Sequence, residues 1–176
     1  CAEHLIAEEF DIATSYAMTV DHGFSHVLHT FMGAVDARPV LPIHINALCH
    51  PRPTLRRCRR LGEAVGRFVA GLNKRVAFLG SGGLSHETSM IFPQFDTAPC
   101  EAIRDFIVHG GSRGAISHQK WLDDIHAGMN ALAPPIAAGQ HKNKTINPEW
   151  DRLFLETIAA GDLSVFDTWR DADVVR

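Results

Sequence analysis

Two short segments carry the residue types best suited to proton chemistry. One is Val20-Asp21-His22-Gly23-Phe24 (VDHGF); the other runs from Phe78 to His86 (FLGSGGLSH). Each follows an apolar run and joins a histidine to glycine at a turn. Imidazole changes protonation near neutral pH, so a histidine held at such a turn can give or take a proton. Beside His22, the Asp21 carboxylate can orient the ring and raise its basicity if it reaches it, or it can cap the helix that follows. Around His86 the glycines allow backbone dihedrals closed to other residues. A phosphate cradle is the competing reading of those glycines. The dinucleotide fingerprint G-x-G-x-x-G/A is met at Gly80 and Gly82, but Ser85 stands in third place. A proline-bearing loop follows instead of a helix, and no G-K-[ST] string is present. What remains is a pair of strand ends, each presenting a histidine on one rim of a sheet, as an acid and a base.

The other clusters have blander readings. His22, His26 and His29 have H-x3-H-x2-H spacing, which suits a metal, but the sequence places His22 ahead of the helix and offers no H-E-x-x-H pattern. His44 reads as a half-buried strand residue, and His118 and His126 as surface residues on a helix with Trp121. Arg52, Arg56, Arg57, Arg59 and Arg60 read as a solvated helix start or a subunit contact, because the interleaved aromatics of a nucleic-acid surface are missing. Asp105, Asp123 and Asp124 lack the spacing of a catalytic carboxylate pair. The four cysteines are scattered with no C-x-x-C pair, which argues against a zinc site or disulfide framework and fits a reducing cytoplasm. A formal charge of −3 gives no reason to expect nucleic acid or an anionic membrane as partner. No apolar run approaches the roughly 18–20 residues of a membrane span.

The elements that must position these residues follow from periodicity. Phe10–Met18, Val40–Asn46 and Lys74–Gly80 read as strands. Helices are expected from Ala2 to Glu9, from a cap at Ser25 through Met32, and from Pro53 to Asn73, where Leu55, Cys58, Leu61, Val65, Phe68, Val69 and Leu72 recur at steps of three and four. Further helices are expected in CEAIRDFIVHG and AISHQKWLDDIHAGMNAL, with loops at ETSMIFPQFDTAP, Gly110–Gly114 and PPIAAGQHKNKT. A helix starting at Asn147 and Pro148 and stopping at Gly161 is well signalled at both ends. The fold class expected is α/β: a central, mostly parallel or mixed sheet with flanking helices and a helical C-terminal portion. With 176 residues, 45% of them hydrophobic, residues 1–176 suffice for a single domain. The opening cysteine and the closing DADVVR suggest an incomplete fragment of a longer catalytic domain.

SYAMTVDHGFSHVLHTFMG, PVLPIHINAL and RRLGEAVGRFVAGLNKRVAFLGSGGLSH together resemble the class III extradiol ring-cleavage dioxygenases. The resemblance is close from Phe10 to His86, weaker to about Thr145, and returns in INPEWDRLFLETIAAGDL. It implies a non-haem iron(II) enzyme of aromatic catabolism that opens a 3-substituted catechol, such as 2,3-dihydroxyphenylpropionate, with dioxygen beside the diol. It further implies that the D-H-G-F histidine, His22, is the proton donor and the G-G-L-S-H histidine, His86, the proton acceptor. The family takes its iron ligands from two histidines of an N-terminal portion and a glutamate of a C-terminal portion. None of His4, Asp21, His26 or His44 sits in a matching motif, so the ligands are expected outside this chain, and the chain alone is expected to bind iron weakly and to be inactive. The full-length form is expected to be a cytoplasmic homo-oligomer acting on a small aromatic diol and dioxygen. Two rival readings stand beside this one: a truncated, non-catalytic paralogue that binds a ligand or partner, and a nucleotide-binding α/β module.

Overall fold

The computed structural model describes residues 1–18, 20–47, 51–86, 95–96, 98, 100–109, 116–140 and 146–173. The chain divides into two compact units: Cys1–Asn46 with Pro53–Leu84 and Arg152–Asp171, and Ala47–Arg52 with Ser85–Asp151 and Ala172–Arg176.

The first unit is organised by α3, Leu55–Ala70. Its apolar residues recur along one face, so burying that face holds the helix. Leu5, Phe10, Ala64 and Val65 form the buried cluster, with Cys1, Ile12, Leu61 and Val69 packed against it. The helix starts two residues later than the sequence predicts because Thr54 caps it: the Thr54 hydroxyl accepts the Arg57 N–H at 3.2 Å. It ends where the Gly71 N–H donates to the Arg67 and Phe68 carbonyls. The short α1, Ala2–Ala7, is tied to α3 by side chains. His4 Nε2 lies 3.0 Å from the Ala64 carbonyl oxygen, and Arg67 forks onto both Glu8 oxygens at 3.2 and 2.7 Å. That guanidinium holds the Glu8 carboxyl below its ordinary range.

The basic start of α3 is engaged within the chain rather than merely solvated, which corrects the sequence reading. Arg59 donates to both oxygens of Asp167 at 2.8 Å each and also pairs with Glu63. Hydrogen bonding to Arg59 holds the Asp167 carboxyl below its ordinary range. The Arg57 guanidinium stands over the Phe10 ring, 4.9 Å from its centroid. Asp167 closes a 3-10 turn, Leu163–Asp167. Its buried Phe166 packs on Phe154 at 4.8 Å and edge-on to Trp169 at 5.0 Å between centroids.

The expected central sheet is absent: among the described residues there is no strand, and all regular structure is helical. Phe10–Met18, Val40–Asn46 and Lys74–Gly80 run without helix or ladder. β-propensity reports how well a side chain fits a pleated, covered surface, not an intrinsic backbone choice. A strand also needs a neighbour for its N–H and C=O groups and a layer over its apolar face. Phe10 and Ile12 pack into the helical cluster rather than under a sheet, and in the other two segments apolar side chains stay open: Leu41 is 63% exposed and Phe78 66%. The three segments keep the composition of strands but form no ladder among the described residues.

In the second unit, α4 spans Glu101–His109 and α5 spans His118–Ala137. Ser117 caps α5 by accepting the Lys120 N–H at 3.1 Å. Phe106 stacks on Trp121 with centroids 4.3 Å apart. The sequence reading ends this helix before Pro134-Pro135, yet the helix passes through both. Proline removes a donor and crowds the preceding turn, but its carbonyl still accepts, and here both proline carbonyls are used: Ala138 N–H donates to Pro134 and Gln140 N–H to Pro135. Of the loop expected at 87–99, residues 87–94, 97 and 99 lie outside the described residues, as do the glycine break at 110–114 and residues 141–145 of the loop expected at 134–145. The last long helix, α6, is Pro148–Ala160. It starts as predicted, with the Asn147 side-chain oxygen accepting the Trp150 N–H at 3.2 Å.

Candidate active site

The sequence places His22 in an exit loop; the structure makes it the first residue of α2, His22–Met32. The cap is Asp21, not Ser25. Asp21 Oδ1 accepts the Gly23 N–H at 2.9 Å and the Phe24 N–H at 3.3 Å. Two unsatisfied amides of the helix start are a stronger claim on a short carboxylate than a neighbouring ring. Asp21 therefore fixes His22 through the backbone it caps. The same start puts His22, His26 and His29 on one helix, one turn apart and all exposed. Even so, among the described residues no three His, Cys, Asp or Glu side chains are grouped so as to hold a metal ion. The residues described here do not fit an iron site, and no step is assigned through one.

The glycine turn lies beside this helix start. A Cβ built on Gly23 would stand 3.1 Å from Asp21 Oδ1 and 3.9 Å from Ser81 Oγ. The D-H-G-F turn and the G-S-G-G turn are thus neighbours within the first unit. His44, read from sequence as half-buried, is exposed, with its ring 6.4 Å from that of Phe24.

Past the turn, Gly82 adopts φ +154°, a conformation L side chains rarely take. His86 follows in the second unit and is exposed. The residue before it is held tightly. The Ser85 N–H donates to Asp151 Oδ1 at 2.8 Å and the Ser85 hydroxyl to Asp151 Oδ2 at 2.9 Å. The same hydroxyl oxygen accepts the Asn147 N–H at 2.7 Å. Sequence reasoning found Asn147 as a helix cap but assigned Asp151 nothing. The available signal was the return of family-like sequence at INPEWD, which caps and charges of α6 alone do not explain.

Asp123 accepts from Gln119 and Asp124 from Lys120, so the two carboxylates serve neighbours on α5 rather than each other. A cavity of about 220 Å³ lined by Phe10, Thr54, Arg56, Arg57 and Arg60 includes neither His22 nor His86.

With this geometry in place, comparison with known proteins is informative. The family described as the catalytic LigB subunit of aromatic ring-opening dioxygenase matches residues 1–176. The chain belongs to this family. Among curated relatives, a 2,3-dihydroxyphenylpropionate/2,3-dihydroxicinnamic acid 1,2-dioxygenase of Rhodococcus sp is 40% identical over 168 residues, 96% of this chain and 51% of the relative. The protein of the same name from Mycolicibacterium smegmatis is 44% identical over 169 residues, 96% of this chain and 52% of the relative. A third, from Pseudomonas putida, is 38% identical over 172 residues, 98% of this chain and 53% of the relative. This LigB-family chain spans about half the length of the curated relatives it matches. No solved structure matches it. Among its described residues no helix is long and apolar enough to cross a membrane.

Proposed function

We propose that this chain is part of an extradiol dioxygenase that opens a 3-substituted catechol, such as 2,3-dihydroxyphenylpropionate, with dioxygen. The observation that carries the reading is the family match over residues 1–176, and the histidines of the V-D-H-G-F and G-G-L-S-H segments are the residues we propose as proton donor and acceptor. The proposed cofactor is Fe(II), with ligands from outside the described residues, so the steps assigned to this chain are proton transfers. A catechol must lose protons before both of its oxygens can bind a metal, and ring opening later needs a proton returned. His86 takes the first role, as acceptor, and His22 the second, as donor. Both rings are exposed, so a substrate can reach them. Each is attached to a backbone fixed by a carboxylate: Asp21 beneath His22, and Asp151 behind His86. The proposal extends to a homo-oligomer in a reducing cytoplasm, which suits the free thiols of Cys1, Cys58 and Cys100.

The test uses the intact protein that carries this chain, loaded with Fe(II) without oxygen, then given 2,3-dihydroxyphenylpropionate and air. A yellow ring-opened product is expected. His22→Gln and His86→Gln should each lower kcat by roughly 10²–10⁴-fold, the usual range for a positioned acid or base. Parent turnover in both variants, or a product cut between the two hydroxyls, would refute the proposal.

A further inference from the structure

We infer that Asp151 is a positioning residue for His86, acting through Ser85; this rests on the reading of His86 as proton acceptor. The need for such a residue is physical. His86 comes after Gly80, Gly82 and Gly83, and a glycine-rich approach leaves the largest conformational freedom to be removed. Proton transfer falls off steeply with misplacement, so a catalytic ring behind three glycines needs an external fixture.

Asp151 supplies that fixture. Both hydrogen-bond donors of Ser85 reach the one carboxylate, backbone N–H to Oδ1 and hydroxyl to Oδ2, at 2.8 and 2.9 Å. Two bonds to the two oxygens of one carboxylate fix orientation as well as distance, and bonds to an ionised acceptor are the strong ones. The hydroxyl's acceptor side is used as well, by the Asn147 N–H at 2.7 Å. With its proton directed to Asp151 and a lone pair to Asn147, the hydroxyl has no rotamer left to choose. The anchor is rigid: Asn147 is buried, and Asp151 follows it by one helical turn, with its own N–H bonded to the Asn147 carbonyl at 3.0 Å. All four residues belong to the second unit. Asp151 is half-buried and spends its carboxylate on the residue next to a catalytic histidine, 66 positions away in sequence. A carboxylate placed only to favour the start of α6 would not need a serine in that loop.

The test is a kinetic double-mutant cycle in the intact, iron-loaded protein with 2,3-dihydroxyphenylpropionate. Asp151→Asn should lower kcat by roughly 10- to 100-fold, the scale of about a 1 Å misplacement. KM should stay within about twofold, as expected for a change felt in the transition state. The limb of the pH–rate profile that vanishes in His86→Gln should shift. Ser85→Ala should lower kcat less, and Ser85→Ala/Asp151→Asn no further than Asp151→Asn, because both break one clamp. Glu156→Gln, on the exposed side of α6, should match the parent. Parent kcat and pH profile in Asp151→Asn, with His86→Gln still inactive, overturns the clamp and leaves the acceptor assignment standing. Parent turnover in His86→Gln overturns the acceptor and, with it, the positioning role. If Asp151→Asn does not fold, Ser85→Ala decides: lowered kcat at the parent melting temperature supports the inference, and parent kcat overturns it.

Discussion

Phe166 offers a test of the packing that holds the 3-10 turn in place within the first unit. Its side chain is 7% exposed, so truncation removes almost its whole transfer free energy, about 1.5–3 kcal/mol for a fully buried ring. Two ring contacts go with it, to Phe154 at 4.8 Å and Trp169 at 5.0 Å, each worth about 0.5–1.5 kcal/mol beyond area. Phe166→Ala is therefore expected to cost about 3–5 kcal/mol, in the range seen for buried aromatics. Phe166→Leu keeps an apolar side chain with a smaller loss of volume but loses the ring geometry, and should cost about 1–1.5 kcal/mol. Phe31, a phenylalanine of α2 at 73% exposure, is the matched control: Phe31→Ala should stay within about 0.5 kcal/mol of the parent. Urea unfolding followed by far-UV circular dichroism gives the comparison, provided the slope m is unchanged between variants. A cost below about 1 kcal/mol for Phe166→Ala, or an equal cost for Phe31→Ala, would refute the ring cluster as the support of the turn.

Three further outcomes follow from local geometry. Asp167 titrates below its unfolded value because of Arg59, so its stabilising contribution is present above the unfolded pKa and disappears as pH falls through the folded one. The unfolding midpoint of the parent should thus exceed that of Asp167→Asn at neutral pH and converge on it below about pH 4; a gap that stays constant into acid would contradict the pairing. Gly33 ends α2 at φ +81° with open space around its Cβ position, so Gly33→Ala should lose about 1 kcal/mol from backbone strain alone, and Gly33→Asn less, read as shifts in melting temperature. Burial pushes the Cys58 thiol up, whereas Cys100 is exposed, so a thiol reagent at neutral pH should modify Cys100 first. Faster labelling in Cys100→Ser than in Cys58→Ser would show the reverse.

What the sequence made legible was local. The Asn147-Pro148 start of α6 and its Gly161 stop could be read because caps are decided by residues within one turn of each other. The body of α3 was legible for a related reason, since apolar steps of three and four mark a buried face wherever that face is buried. The start of α2 was misplaced because two good caps, Asp21 and Ser25, lie four residues apart, and only geometry shows that the Asp21 oxygen meets two amides. Arg59 looked like one more solvated arginine because Asp167, the carboxylate it forks onto, is 108 residues away. The strands failed for a deeper reason. Their composition is genuine, but a strand is a relation between segments, and among the described residues no ladder forms along Val40–Asn46 or Lys74–Gly80.

The same contrast separates the two histidines. His22 is placed by a cap one residue away, so its motif and its fixture are one string, and any search that finds D-H-G-F finds both. His86 has its motif in the glycine turn and its fixture at Asp151, in a stretch that on its own reads as an ordinary helix start. The consequences for substitution differ accordingly. A change at Asp21 disturbs the cap and His22 together, so stability and the proton donation proposed for His22 should decline in parallel. A change at Asp151 leaves every residue of FLGSGGLSH unaltered and removes the bonds that hold Ser85, through which we propose its last member is oriented. Loss of turnover without loss of the motif is the signature that distinguishes the second case from the first.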